Sequence, residues 1–155
     1  MKPGERVLVV GSGCGVYPCV LAKNTRAEEI VGIELNPLGH QYALENVRLN
    51  RLKNVRFLEG DVHDVLPDLR ESFDRIVMPL PTVALDLLLL VLPVAKSGAV
   101  IHVYAFEKEA APSGVREQVR KLCKKARVNY SIQRLVKCGQ VAQRTFRVCA
   151  DTKIV

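Results

Sequence analysis

A β-branched run that stops at three closely spaced glycines constrains this chain more than any other feature. Arg6-Val7-Leu8-Val9-Val10 reads as a strand, Gly11-Ser12-Gly13-Cys14-Gly15 breaks it, and a helical stretch follows to about Lys23. Such a junction is a strand–turn–helix unit, the start of a sheet layered with helices. The alternation repeats. Glu29–Glu34 predicts a second strand, and Asn36-Pro37 opens a helix to about Asn50, with proline where a first helical turn tolerates it. Val55–Glu59 predicts a third strand, stopped by Gly60-Asp61, and Phe73–Met78 a fourth, stopped by Pro79-Leu80-Pro81. Residues 82–94 read as a helix capped by Thr82, and 99–106 as a fifth strand entered through Ser97-Gly98. A basic amphipathic helix is expected over 113–126. Two late runs, about 129–136 and 143–150, alternate with period two and have no helix between them. They predict an antiparallel hairpin closing the sheet.

The length of 155 residues predicts one domain, and 48% hydrophobic residues suffice for a real core. The opening, Met1 to Arg6, is polar and is not a signal peptide. The most apolar stretch, 83–95, is too short for a membrane span and is interrupted by Asp86 and Pro93, so a buried amphipathic helix is expected there. Five cysteines without a CxxC pair argue against a disulfide framework or a zinc site. They predict buried, reduced thiols in a cytoplasmic protein, with no metal. The net charge of +7 is concentrated late: ten basic residues and only Glu117 as an acid lie between Arg116 and Arg147. That asymmetry suits a polyanion such as RNA; a solvated helix face is the plainer reading.

Three signals at successive strand ends point to a nucleotide-like cofactor. Gly11, Gly13 and Gly15 let the backbone turn sharply and approach a ligand, although a plain turn would also use them. Glu34 ends the second strand, 19 residues past Gly15, where an acid can accept from both ribose hydroxyls of an adenosine or stand as a solvated strand-end carboxylate. Asp61 and Val62 follow the third strand; Asp61 suits an adenine amino group, or a helix N-cap, and Val62 the face of the ring. Ser12, Leu35 and Asn36 flank these positions and complete the predicted cofactor set. A dinucleotide fingerprint needs glycine where Val16 stands, and no Gly-Lys-Ser/Thr completes a phosphate loop. Gly-x-Gly-x-Gly is the form typical of S-adenosylmethionine enzymes.

The group that meets the substrate is expected after the fourth strand, at Met78, Pro79, Leu80 and Pro81. The two prolines fix φ and remove two amide donors. Carbonyls freed by such a turn accept hydrogen bonds from a planar amine or a flipped base; a rigid strand-to-helix turn is the alternative. DRIVMPLPTVALDLLLLVLPVAKSGAVIHVYAF, GIELNPLGHQYALENVRLNRLKNVRFLEGDVHDVL and the closing RTFRVCADTKI resemble the catalytic core of the archaeal and eukaryotic tRNA (guanine-37-N1)-methyltransferases, the Met-10-like family.

The resemblance implies a Rossmann-like class I methyltransferase fold: an α/β domain over 1–155 with a seven-stranded, mostly parallel sheet, order 3-2-1-4-5-7-6, and a terminal antiparallel hairpin. It implies S-adenosylmethionine as cofactor, N1 of a tRNA guanosine as methyl acceptor, tRNA as partner and no membrane. Many relatives carry Asn-Leu-Pro or Asn-Pro-Pro in the fourth turn; here Pro79 takes the aligned place, so contact with guanine falls to backbone carbonyls. The family also has an amino-terminal tRNA-recognition region and a segment before the first strand that supplies an Arg and a proposed general base, Glu. These are expected to be absent here, to be completed by a further domain or a partner subunit, and Glu5 is not expected to replace that base. Other readings are the related aminocarboxypropyl transferase of wybutosine synthesis, methyl transfer to a small molecule or protein, and a non-catalytic cofactor- or RNA-binding module. His102 and Tyr104 share one face of the fifth strand and are expected to be a satisfied pair.

Overall fold

In a computed structural model, described for residues 1–110 and 114–155, the chain folds as a three-layer α/β domain. The elements run β1 (Arg6–Val10), α1 (Val16–Asn24), β2 (Glu29–Glu34), α2 (Pro37–Leu49), β3 (Val55–Glu59), α3 (Val62–Asp68), β4 (Phe73–Met78), α4 (Ala84–Val91), a 3-10 turn (Leu92–Val94), β5 (Ala95–Lys108), α5 (Gly114–Lys125), β6 (Tyr130–Ala142) and β7 (Thr145–Ile154). One seven-stranded sheet has the order β3-β2-β1-β4-β5-β7-β6. The first five strands are parallel, and β7 runs antiparallel to both β5 and β6. The expected fold and closing hairpin are therefore present.

Strand alternation builds the two faces. Leu8, Val10, Ile76, Met78, Ile101 and Val103 turn toward α3, α4 and α5, forming the larger core. Val7, Val9, Ile30 and Val77 turn the other way and pack against Leu21 and Ala22 of α1. Each fully buried aliphatic or aromatic side chain contributes about 1.5–3 kcal/mol, so the larger cluster dominates stability. Helix α5 buries Val115, Val119 and Cys123 at four-residue intervals, which leaves its basic residues outward.

Several predicted boundaries differ. Thr82 does not cap α4: the N-cap position belongs to Val83, without a side-chain hydrogen bond. The turn is instead closed by the Leu80 carbonyl, which accepts from the Val83 and Ala84 amides at 3.0 and 2.7 Å. Pro93 ends the α-helix early and converts its last turn to 3-10 geometry. Strand β5 starts at Ala95 because Phe73 pairs with Ala95 ahead of an irregularity that absorbs Ser97-Gly98. The hairpin strands are longer than expected, reaching Ala142 and Ile154. The predicted start of the basic helix at Ser113 lies outside the described residues. All five cysteines are free, but only Cys123 and Cys149 are buried; Cys14 is exposed.

Two buried side-chain atoms have no hydrogen-bond partner among the described residues, His40 Nδ1 and Thr152 Oγ1. Thr152 on β7 is fully buried, and its Oγ1 finds no hydrogen bond among the described residues. Thr152→Val keeps the branched shape and removes the orphaned hydroxyl. It is expected to stabilise the fold by about 1 kcal/mol, read as a higher urea midpoint at unchanged m-value. A lower midpoint would show that the hydroxyl is satisfied.

Candidate cofactor and substrate site

The carboxyl ends of β1, β2, β3 and β4 open into one cleft of about 370 Å³, lined by Gly11, Glu34, Leu35, Asp61, Val62 and Leu80 among others. Parallel sheets bind ligands at this edge, because the loops there diverge to opposite faces. Gly13 has φ +56, and a Cβ built on it would meet nothing within 4 Å, so the loop is open on that side. Gly11 has φ +71, and a Cβ there would fall 2.4 Å from Leu80 Cδ1. Glycine at 11 is therefore what lets the β4 turn close over the β1 turn.

Glu34 organises this junction. Its Oε2 accepts from the Gly13 amide at 2.6 Å and its Oε1 from the Asn36 amide at 2.9 Å. Each carboxylate oxygen keeps a further lone pair, the number needed for two vicinal hydroxyls. Gly39 permits this placement, since a Cβ at 39 would lie 3.3 Å from Glu34 Cγ. Asp61 caps α3 through the His63 amide and also accepts from His63 Nδ1, both at 2.8 Å. The main-chain bond from His63, then the ring bond, holds the Asp61 carboxyl below its ordinary range, so it presents an acceptor at neutral pH.

The structure separates the predicted residues. Gly11, Glu34, Leu35, Asp61, Val62 and Leu80 line the cleft together. Ser12 turns inward: it is 6% exposed, and both its amide and its hydroxyl point to the Ile33 carbonyl. Gly15 lies at the head of α1 with φ +83, packed over Phe57 and Ala43. The Asn36 side chain caps α2 by accepting from Leu38 N–H at 3.0 Å. The Met78 side chain is fully buried in the larger core, so only its backbone belongs to the turn. Pro79 and Pro81 flank Leu80 without lining the cleft themselves. Sequence reasoning missed Gly39, His63, Val83 and Leu87. No sequence signal marks Gly39, whose role is to leave room for Glu34.

A second cluster of ionisable groups lies beneath the β4 turn, on the α1 side of the sheet. Arg75 pairs with Glu5 at 2.7 Å and donates to His102 Nε2 at 2.6 Å. His102 Nδ1 meets Asp151 Oδ1 at 2.7 Å, and Arg134 donates to Asp151 Oδ2. A guanidinium only donates, so Nε2 accepts, and the imidazole proton sits on Nδ1. His102 is thus neutral. Burial, reinforced by the Arg75 and Arg134 charges, lowers its pKa against the opposing pull of Asp151. The ligand atoms of His102, Cys149 and Asp151 lie within 4.8 Å of one another. Both imidazole nitrogens are already hydrogen-bonded, and burial pushes the Cys149 thiol up to about 12, which suits a hydrogen-bond network better than a cation. This network also answers the expectation for His102, which is satisfied on both sides.

A pH dependence follows. His102 binds its proton less readily folded than unfolded, where its pKa is about 6.5. Its contribution to stability is full above that value and is lost progressively as pH falls below it. Melting temperature is expected to decline on acidification from pH ~6.5, and His102→Gln is expected to flatten that decline. An identical profile in the variant would assign it to other groups.

Comparison with known proteins is consistent with this geometry. Residues 1–132 match the TRM5/TYW2 methyltransferase domain family. The chain is 30% identical over 154 residues to the tRNA (guanine(37)-N(1))-methyltransferase Trm5b of Pyrococcus abyssi, covering 99% of this chain and 45% of that protein. The crystal structure of that Trm5b superposes with a TM-score of 0.89. The crystal structure of M. jannaschii TYW2 in complex with AdoMet gives a TM-score of 0.92 at 25% identity, over 99% of this chain and 69% of that one. The tRNA 4-demethylwyosine(37)-methyltransferase Taw21 of Saccharolobus solfataricus is 32% identical over 104 residues, covering 67% of this chain and 39% of that protein. The chain spans less than half the length of these two curated relatives. With the family matched over residues 1–132 and a 30% identical relative whose structure superposes over 99% of the chain, the chain belongs to the TRM5/TYW2 methyltransferase domain family.

Proposed function

We propose that this chain binds S-adenosylmethionine in the cleft and transfers its methyl group to N1 of a guanosine in tRNA. The observation that carries the reading is the Glu34 carboxylate, fixed by the Gly13 and Asn36 amides opposite Asp61 at the next strand end. Glu34 would hold the ribose hydroxyls, Asp61 the adenine amino group, and Leu35 and Val62 the ring faces. When bound, the cofactor supplies an electrophilic methyl group. Leu80, against Gly11, would exclude water and hold the acceptor in line. The Pro79 carbonyl, without a partner among the described residues, suits a base edge that donates N–H.

Removal of the guanine N1 proton needs a base. Glu5 is held by Arg75 near the amino ends of the strands, away from the cleft. A further domain or a partner subunit supplies the base in this reading. Outward basic residues of α5, including Lys121 and Lys124, favour tRNA as partner. No helix among the described residues is long and apolar enough to cross a membrane, and the free thiols fit a cytoplasmic enzyme.

The likeness to TYW2 favours one second reading, transfer of the aminocarboxypropyl group. Incubation of tRNA with methyl-labelled or carboxyl-labelled cofactor tests both. Methyl label in 1-methylguanosine supports the proposal; carboxyl label in the RNA supports the alternative. Binding without transfer, even with the upstream region of a relative supplied, would identify a non-catalytic module.

A further inference from the structure

Asp61 and His63 line the cleft together, and the pair leaves one carboxylate oxygen for a ligand. Oδ1 accepts from both the His63 amide and His63 Nδ1, each at 2.8 Å. Oδ2 has no hydrogen-bond partner among the described residues. The main chain around it is fixed. The Gly60 amide donates to the Glu34 carbonyl at 2.9 Å, which ties the third strand end to the second. The Asp61 carbonyl accepts from the Asp64 and Val65 amides at 3.0 and 2.9 Å. Gly60 has φ +143, and a Cβ there would fall 2.9 Å from Val65 Cγ2, so the chain enters this turn closely packed.

What such a backbone leaves free is rotation about the Asp61 Cβ–Cγ bond, which is broad for a carboxylate. One donor, the His63 amide, would let the carboxylate plane tilt. The second donor, the ring N–H, sets that tilt and keeps Oδ1 occupied. An ionised carboxylate has no proton to give, so Nδ1 is the donor, and it carries a hydrogen in the imidazolium and in one neutral tautomer alike. An oxygen with lone pairs only accepts from an exocyclic amino group and repels an exocyclic carbonyl.

We propose that His63 is the positioning residue that makes the cleft select a 6-amino purine over a 6-oxo purine, by holding the Asp61 carboxylate with Oδ2 free. This rests on the cofactor reading above and adds the residue that sets its base selectivity. The test is calorimetric titration with S-adenosylhomocysteine and with its 6-oxo analogue, S-inosylhomocysteine. The Asp61 side chain is 43% exposed, so water competes for Oδ2 and the unaltered protein is expected to prefer the adenosyl ligand about tenfold. His63→Ala is expected to weaken the adenosyl ligand about fivefold and to change the inosyl ligand less than about twofold, so that the preference nearly disappears. His63→Asn places an amide N–H where Nδ1 stands, and is expected to keep the preference within about twofold of the unaltered protein. The main-chain bond from residue 63 to Asp61 persists in both variants, so the fold is expected to hold, as circular dichroism checks.

Equal weakening of both ligands in His63→Ala, with the preference unchanged, would make the ring a packing group and overturn this inference while the cofactor reading stands. The same loss of preference in His63→Asn as in His63→Ala would show that the donor at Nδ1 is not what matters, and would also overturn it. Equal affinity of the unaltered protein for the two ligands would place the purine 6-position away from Asp61, with the same consequence. Binding of neither ligand by the unaltered protein would overturn the cofactor reading and this inference with it.

Discussion

Glu34→Ala is expected to weaken S-adenosylmethionine binding about 100-fold, the largest effect of any single change in the cleft. Two hydrogen bonds to a carboxylate contribute about 1.5 kcal/mol or more each, and 1.4 kcal/mol is about tenfold in affinity. The loss has a second source. Glu34 also braces the Gly13 and Asn36 amides, so its removal loosens the loop that faces the ligand. Glu34→Gln separates the two. It keeps one acceptor oxygen and the side-chain shape, and is expected to lose about tenfold. Calorimetric titration with S-adenosylmethionine and S-adenosylhomocysteine reads both variants, with circular dichroism to check the fold. Unchanged affinity in Glu34→Ala would reduce the carboxylate to a loop brace and remove the main support for the cofactor proposal.

What the sequence displays of this fold follows from where one interaction dominates. Strands β1 to β4 have the predicted bounds because each is a short β-branched or apolar run, and β1, β3 and β4 stop directly at a glycine or proline, where backbone geometry leaves little choice. The hairpin ends are less legible. β6 is exposed along most of its length and carries three register irregularities, so period-two alternation fades before pairing with β7 does. Thr82 reads as a cap because its residue type favours one, yet the adjoining Leu80 carbonyl closes the turn first.

The cleft was half legible for the same kind of reason. Glu34 and Asp61 stand out as acids at strand ends, whereas the inward turn of Ser12 depends on the Ile33 carbonyl across the sheet. Spacing cannot show that contact. Met78 looked like part of the reaction centre by position, but alternation on β4 sends its side chain into the core. Gly39 is silent in sequence because its role is to leave room for Glu34.

Asp151→Ala is expected to be the most destabilising polar substitution in the domain, costing about 3 kcal/mol. Asp151 is 5% exposed, and burial alone would raise its pKa. The hydrogen bonds from His102 and Arg134 outweigh burial and hold it charged. Removing it strands the His102 Nδ1 proton in a buried site between Arg75 and Arg134. A hydrogen bond to a charged group contributes about 1.5–3 kcal/mol, and the group left unpaired adds its own desolvation cost. Arg134 is exposed and recovers its hydration, so the loss stays below that of breaking a fully buried ion pair. Asp151→Asn discriminates further. Its amide oxygen still accepts from His102, but its NH2 faces the Arg134 donors, so a loss of about 1 kcal/mol is expected. Urea unfolding at pH ~7.5, where His102 is neutral in both states, measures each cost without the titration described above. Equal losses for alanine and asparagine would place the energy in the Asp151 charge and Arg134. A negligible loss for alanine would mean that the chain from Glu5 to Arg134 sets strand register without adding net stability, as buried charges sometimes do.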